Sequence, residues 1–407
     1  MTYTHSITAY RSDSLIWDRE KKDVEYSRCI GLYIVLNEVN AFIQQYFMMH
    51  EIPYGAVKSA IMGLLFLIFL RSIIHFNRKE YIALFTTLGI VTFLYIYSAI
   101  AGAEISYMAT WAVNSFGVGV PLATFAYLIE DKGKLYSFLY KCTWPILVML
   151  VFDFALFHET DKEYSLHFGY MMLFILIFHL SYALNEKKIV LIPFIIAELA
   201  LIIVYGSRAA LICLAAYIAL RFITIPGKKE LKMIVILAIA LLIPATAFVL
   251  KYIVPGLVVA LQEQGLRART LDLLRENRMF DLWNRMYIWE PSVELIKQKP
   301  LFGWGIREAS KYRPTAYPHN LFLDFWESFG YIFGTTLFIP ILFLVSRLFK
   351  PNRTTEAEIC RIYVSMEFVK LLVSQTFITS YQFYIMMGLL IAYNHNNTQN
   401  IGSIGHQ

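Results

Sequence analysis

Apolar stretches recur along the chain at the length of roughly 20 residues that a helix needs to cross a bilayer. Short polar segments separate these stretches. The pattern predicts an all-α polytopic membrane protein with about twelve transmembrane helices. The predicted spans are about 30–47, 56–70, 80–101, 109–129, 138–157, 168–185, 189–205, 208–223, 231–254, 328–346, 359–376 and 382–393.

The lysines and arginines of the short loops are distributed unequally between the two sides of this array. One set of alternate loops carries Arg71, Arg78, Lys79, Lys132, Lys134, Lys141, Lys187, Lys188, Arg221, Lys228, Lys229, Lys232, Arg347, Lys350, Arg353 and Arg361. The opposite set carries Lys162 and Arg208. Because short cytoplasmic loops are the positively charged ones, we expect cytoplasmic tails at residues 1–29 and 394–407.

Residues 255–327 form one long connection between the ninth and tenth spans, on the predicted outer face. Loops of this length are uncommon unless they are functional or disordered. Here VVALQEQGLRARTLDLLRENRM and DLWNRMYIWEPSVELIKQK both predict helices, the second ending at Pro300. We therefore expect a large helical external loop, folded as a cap, between transmembrane segments 30–254 and 328–393.

Composition strengthens the membrane assignment and excludes several other classes. Apolar residues make up 58% of the chain, charged residues 16%, and the mean hydropathy is +0.53, whereas soluble proteins are closer to a quarter charged. The four cysteines are scattered, and neither a metal-binding spacing nor a phosphate-loop motif is present. The net charge of +6 is spread among the spans, which gives no indication of nucleic-acid binding.

Arg208 is the first candidate for chemistry, in the sequence Gly206-Ser207-Arg208 at the outer junction of two apolar spans. A helix that begins near Ser207 directs its free N–H groups at an anion, and an arginine there is a bidentate, permanently charged phosphate ligand. The alternative is an arginine that extends to the lipid headgroups.

Two further candidates lie in the large loop. Arg285 lies among amphipathic aromatic residues, Trp283, Tyr287 and Trp289, in a segment that also contains other arginines such as Arg267 and Arg313. Such aromatic residues settle at the membrane interface or stack on sugars, and the alternative is that Arg285 is an exposed loop arginine. The other arginines of the loop either form a cationic lining or contact anionic lipid.

His319 is the histidine of this loop, and its imidazole titrates near neutrality, which suits proton transfer. The alternative is that His319 is only the residue that precedes an Asn320 helix cap.

The runs SRAALICLAAY, RMYIWEPSVELIKQKPLFGWG and YPHNLFLDFWESFGYIFGTTLF together resemble the O-antigen ligase/polymerase superfamily of bacterial envelope proteins. The shared features are an arginine that opens a span, an arginine before a P-L-x-G-x-G turn, and a His-Asn pair ahead of the next span. In this chain they are Arg208, Arg285, the Pro300–Gly305 turn and His319-Asn320. The resemblance covers roughly residues 200–345.

The resemblance implies a metal-independent, cofactor-free inverting glycosyltransferase of the GT-C type, whose donor is an oligosaccharide on undecaprenyl pyrophosphate. It implies that Arg208 and Arg285 hold the pyrophosphate and that His319 activates or positions the acceptor hydroxyl. The expected substrate-binding residues are Asn320, Ser207, Arg267, Arg313, Trp289 and Tyr317.

Three functions are compatible with this pattern. An O-antigen or capsular polysaccharide polymerase is favoured, because the segment from Tyr317 to Gly330 is closer to polysaccharide polymerases. The alternatives are an O-antigen ligase that transfers the glycan to the lipid A core, and a repeat-unit flippase. All three imply a multi-pass protein of the bacterial cytoplasmic membrane. For the polymerase we expect the active site to face the periplasm, and a chain-length regulator and a flippase as partners.

Overall fold

The computed structural model describes residues 3–157, 166–205, 208–224, 256, 283–313, 315 and 317–404. Throughout these residues the regular structure is helical, and no strand occurs among them. The helices are α1 (Tyr3–Met49), α2 (Gly55–Ile74), α3 (Arg78–Ile100), α4 (Ile105–Ala112), α5 (Val120–Leu128), α6 (Lys132–Phe157), α7 (Leu166–Asn185), α8 (Ile192–Tyr205), α9 (Arg208–Thr224), α10 (Trp283–Gln298), α11 (Leu321–Ser346), α12 (Thr355–Tyr363), α13 (Val369–Val373) and α14 (Tyr381–Ile404). Turns of π-helix over Val113–Gly119 and Val364–Phe368 join α4 to α5 and α12 to α13.

Six helical segments in the described ranges are long and apolar enough to cross a membrane, which confirms a polytopic membrane protein. They are Gly55–Ile74, Arg78–Ile100, Ile105–Leu128, Lys132–Asp153, Leu166–Asn185 and Leu321–Phe349. The predicted span at 231–254 lies outside the described residues, and the count of twelve stays a prediction. Predicted spans 359–376 and 382–393 correspond to the α12–α13 run and to α14.

Side-chain caps set the beginning of several helices. The Asn77 side chain accepts hydrogen bonds from the backbone N–H groups of Lys79 and Glu80, and the Glu80 carboxylate accepts one from the backbone N–H of Asn77. This reciprocal capping box starts α3. Asn320 and Thr354 cap α11 and α12 with their side-chain oxygens.

The loops between the helices lie at two opposite ends of the bundle. At the first end, which we call the basic end, the Asp23 carboxylate accepts from the backbone N–H groups of Glu130 and Asp131, each at 2.9 Å. Lys22 pairs with Glu80 at the same end, at 2.7 Å. Helix α3 then runs from Glu80 to Tyr97, roughly 25 Å at 1.5 Å per residue.

At the second end, which we call the site end, Tyr97 donates a hydrogen bond to the carbonyl of Phe329. The backbone N–H of Ile306 donates to Ser98 Oγ at 3.0 Å. The described part of the large loop therefore packs on the end of the bundle opposite to the basic end. This part of the loop and the basic end therefore lie on opposite sides of the bundle, as the predicted alternation of loops between the two membrane faces requires.

Candidate functional site

His319 lies at the site end, immediately before helix α11. Its backbone has a φ of 53°, a left-handed conformation that is uncommon for a residue with a side chain. Its Nδ1 is 2.7 Å from the carbonyl oxygen of Ser374, at the end of α13. A carbonyl only accepts, so Nδ1 carries the proton and the neutral ring has its acceptor lone pair on Nε2. This is the tautomer that a general base requires.

Asn320 follows as the N-cap of α11. Its Oδ1 accepts from the backbone N–H groups of Phe322 at 3.0 Å and Leu323 at 3.2 Å. The capping role that the sequence offered as an alternative is therefore present, and it fixes the position of His319. On the other side, the Tyr317 ring packs against the imidazole with 4.4 Å between centroids.

Arg208 begins helix α9, and this beginning lies at the site end. Helix α9 packs against α13 and the π-helical turn before it, with Cys213 Sγ 3.7 Å from the Met366 carbonyl oxygen. The opposite end of α9 contacts the basic end, where the backbone N–H of Asn352 donates to the Thr224 carbonyl at 3.0 Å. The backbone of Arg208 is therefore on the same side as Ser374 and His319.

Arg285 lies in the first turn of α10, two turns before Ser292. Helix α10 packs against α11, and the buried Ser292 hydroxyl donates to the Ile288 carbonyl one turn earlier in α10, at 3.3 Å. Helix α10 ends at the Lys299–Pro300 turn of the site end. The structure thus places His319 and the backbone of Arg208 at the site end. Arg285 lies at the other end of α10 from the Lys299–Pro300 turn, and its role in the site stays a prediction.

The remaining substrate-binding candidates have different surroundings. Arg313 pairs with Glu327, Nη2 to Oε2, at 3.2 Å, and both side chains are at least 97% buried. This ion pair ties the loop to α11, and contact of Arg313 with substrate stays a prediction. Trp289 is half-buried on α10. Ser207 and Arg267 lie outside the described residues.

Glycines allow the turn after α10 to dock on a kink in α11. The backbone N–H groups of Trp304 and Gly305 donate to the carbonyls of Glu327 and Ser328, at 2.8 and 2.9 Å. Gly303 and Gly305 have φ values of 69° and 83°. A Cβ on Gly305 would lie 2.6 Å from Ala103 Cβ. The P-L-x-G-x-G turn is therefore a packing element that the neighbouring backbone approaches closely.

A comparison with protein-family models matches residues 193–339 to the family described as O-Antigen ligase. This segment contains Arg208, Arg285, the Pro300–Gly305 turn and His319. Residues 193–339 are similar to the O-antigen ligase family over about a third of the chain. The expected relation to the O-antigen ligase/polymerase superfamily is confirmed. No curated protein and no solved structure matches the chain.

The matched segment does not contain every residue that surrounds His319. Ser374, which fixes the His319 tautomer, follows the domain, and Trp111, which precedes it, packs on the Arg307 guanidinium. Sequence analysis did not single out Arg307, Trp111 or Ser374. No local spacing connects these residues, because their contacts form only when helices distant in sequence pack together.

An ionic clamp holds the loop after α10 to the α3–α4 connection. Lys311 Nζ lies 2.7 Å from Glu104 Oε2 and 2.9 Å from Glu308 Oε1. The backbone N–H of Glu104 donates to Glu308 Oε2 at 3.0 Å. Hydrogen bonding to Lys311 lowers the pKa of Glu104 below its ordinary value and raises the pKa of Lys311.

This clamp predicts an acid-sensitive attachment of the loop. The folded-state pKa of Glu104 is lowered. The stabilisation that ionised Glu104 gives the folded state is therefore complete above the ordinary glutamate pKa of about 4.3, and it is lost as the pH falls through the lower folded-state pKa. Hydrogen exchange of the 299–312 backbone should therefore accelerate in acid, and Glu104→Gln should exchange faster at neutral pH with a smaller acid effect. Glu294→Gln, which removes an exposed pair with Lys297, is the control and should leave the exchange of this segment unchanged.

Proposed function

We propose that the protein is a polysaccharide polymerase. It is an inverting, metal-independent glycosyltransferase of the GT-C type that joins undecaprenyl-pyrophosphate-linked repeat units at the outer face of the bacterial cytoplasmic membrane. The observation that supports this most is the His319 contact: Nδ1 is bound to the Ser374 carbonyl, at the end of the bundle where the Arg208 helix begins.

The chemistry outside the membrane needs an activated donor, because neither ATP nor a nucleotide sugar is available there. The bond between the anomeric carbon and the pyrophosphate supplies the free energy. As this bond breaks, negative charge grows on the pyrophosphate oxygen. Positioned arginines bind that charge more strongly in the transition state than in the ground state, and Arg208 and Arg285 have this role in the proposal.

His319 acts on the acceptor in this mechanism. The acceptor hydroxyl oxygen attacks the anomeric carbon on the face opposite to the departing pyrophosphate, which inverts the configuration. The hydroxyl proton moves to Nε2 of His319, while Nδ1 keeps its hydrogen bond to the Ser374 carbonyl and stabilises the imidazolium. Tyr317 packs on the ring and Asn320 fixes the helix beneath it, so both residues orient the base.

A ligase is the alternative within the same family, since it uses the same donor and a lipid A core acceptor. The segment from Tyr317 to Gly330 favours a polymerase. A deletion strain separates the two functions. We expect loss of the gene to leave single repeat units on the cell surface, seen as a collapsed ladder on a gel of extracted glycan. Long glycan held on undecaprenyl pyrophosphate in the inner membrane would instead establish a ligase.

A repeat-unit flippase is the contrasting function for a multi-pass chain of this kind. Purified protein with lipid-linked repeat units distinguishes catalysis from transport. We expect longer lipid-linked products, formed without ATP and in the presence of a chelator. A protein that moves repeat units across vesicles without elongating them would overturn the proposal.

A further inference from the structure

Arg307 is a buried arginine beside His319 whose hydrogen-bonding capacity is incompletely used. It is 5% exposed and has a φ of 63°. Its guanidinium lies against two aromatic rings, with Cζ 4.4 Å from the centroid of Trp111 and 5.5 Å from that of Tyr317. Tyr317 is the same ring that packs on the His319 imidazole. The guanidinium and the imidazole are therefore neighbours through one tyrosine.

The two aromatic rings supply no hydrogen-bond acceptor for the N–H groups of Arg307. Arg307 Nε and Nη1 are buried and have no hydrogen-bond partner among the described residues, and the same holds for Trp111 Nε1. All three atoms are donors. A buried donor without an acceptor costs on the order of 1–3 kcal/mol, so a cluster of three in contact with one another indicates that an acceptor is needed there.

The nearby carboxylates hydrogen-bond other groups. Asp324 Oδ2 accepts a hydrogen bond from Thr376 at 2.6 Å, and Glu327 Oε2 pairs with Arg313 at 3.2 Å. Among the described residues, neither carboxylate forms a hydrogen bond or an ion pair with the Arg307 guanidinium, and their charges interact with it at longer range. They help to keep a cation in a buried position, while the N–H groups of Arg307 and Trp111 keep their capacity to donate.

We propose that Arg307 and Trp111 form an oxyanion-binding pocket that holds an anionic group of the lipid-linked glycan next to His319. The identity of the ligand rests on the proposed function, whereas the pocket rests on the donor cluster. The oxyanion belongs either to a phosphate of the polyprenyl carrier or to the carboxylate of an acidic sugar. In both cases Tyr317 connects the bound anion to the base, so Arg307 is a substrate-binding residue in addition to Arg208 and Arg285.

The test measures binding and does not require turnover. Purified protein is titrated with undecaprenyl pyrophosphate, with undecaprenol, and with an oligosaccharide of glucuronic acid, and the Trp fluorescence is followed. Arg307→Met keeps an apolar stem between the two rings but removes the donors. Arg307→Lys keeps the charge in case the methionine variant does not fold. Lys297→Met, an exposed cation of α10 paired with Glu294, is the matched control.

We expect the wild type and the Lys297→Met variant to bind undecaprenyl pyrophosphate alike, and both Arg307 variants to bind it at least about tenfold more weakly, as loss of a charge-assisted contact predicts. The fluorescence change should disappear in Trp111→Phe. Weaker binding of the acidic oligosaccharide alone would support the pocket and identify the sugar as its ligand.

Unchanged binding of both anions by folded Arg307 variants would overturn the pocket. If binding depends on Arg307 but the protein elongates no glycan, the pocket stands and the polymerase proposal fails. The two hypotheses therefore fail on different measurements.

Discussion

Replacing His319 by alanine should lower the rate of glycan elongation by about 10²–10⁴, the usual contribution of a positioned general base. The reason is the hydrogen bond of 2.7 Å from Nδ1 to the Ser374 carbonyl, which leaves Nε2 as the acceptor. The loss should appear in kcat and not in the affinity for the lipid-linked donor, because the proposed role of His319 is in proton transfer. The rate of elongation by purified protein at saturating donor gives kcat for the wild type and the variant.

His50→Ala is the matched control for this experiment. His50 is exposed and follows α1, at the side of the bundle that the charge pattern assigns to the outside. We expect this variant to elongate glycan at the wild-type rate. If His319→Ala does so as well, while the protein inserts and unfolds normally, then His319 is only the residue before the Asn320 cap and the base must be sought elsewhere.

Much of the fold was predictable because membrane helices have strong local signals. The predicted span at 80–101 corresponds to α3, where the Asn77 and Glu80 side chains form a capping box. Two helices predicted in the large loop also occur. The helix predicted around Trp283 is α10, and the helix predicted after Asn320 is α11. Long apolar runs with caps and prolines at their ends determine such boundaries with no tertiary information.

The surroundings of the site were only partly predictable. The imidazole of His319, just before the Asn320 cap, indicated proton chemistry, but its hydrogen-bond partner Ser374 lies 55 residues away in sequence. Arg313 had the pattern of a surface cation, whereas the structure buries it against Glu327. Arg307 had no distinguishing pattern at all. Partners of this kind depend on how α4, α11 and α13 pack, and periodicity within one helix does not contain that information.

Gly330 determines whether the large loop can dock on α11. Its φ of 75° and ψ of 173° lie in a region that is essentially restricted to glycine. A Cβ on this residue would lie 2.2 Å from the Leu301 carbonyl oxygen and 2.8 Å from the Phe302 backbone nitrogen. The same contact surface holds the hydrogen bond from the Tyr331 N–H to the Pro300 carbonyl, at 2.7 Å. The kink at Gly330 and the turn at Pro300–Gly305 therefore pack together only when residue 330 has no side chain.

Gly330→Ala should therefore separate the turn from α11. Backbone strain alone costs about 1–3 kcal/mol, and the overlap with Leu301 adds to it because backbone atoms have no rotamer through which to move away. We expect a lower unfolding temperature in detergent, faster proteolysis of the 299–313 segment, and loss of elongation, since Arg307 and His319 are carried by the elements that move apart. Gly89→Ala in α3 is the control, because a Cβ there meets nothing within 4 Å and alanine favours a helix by up to about 1 kcal/mol over glycine. A Gly330→Ala protein as stable and active as Gly89→Ala would mean that the loop reaches the site without this docking contact.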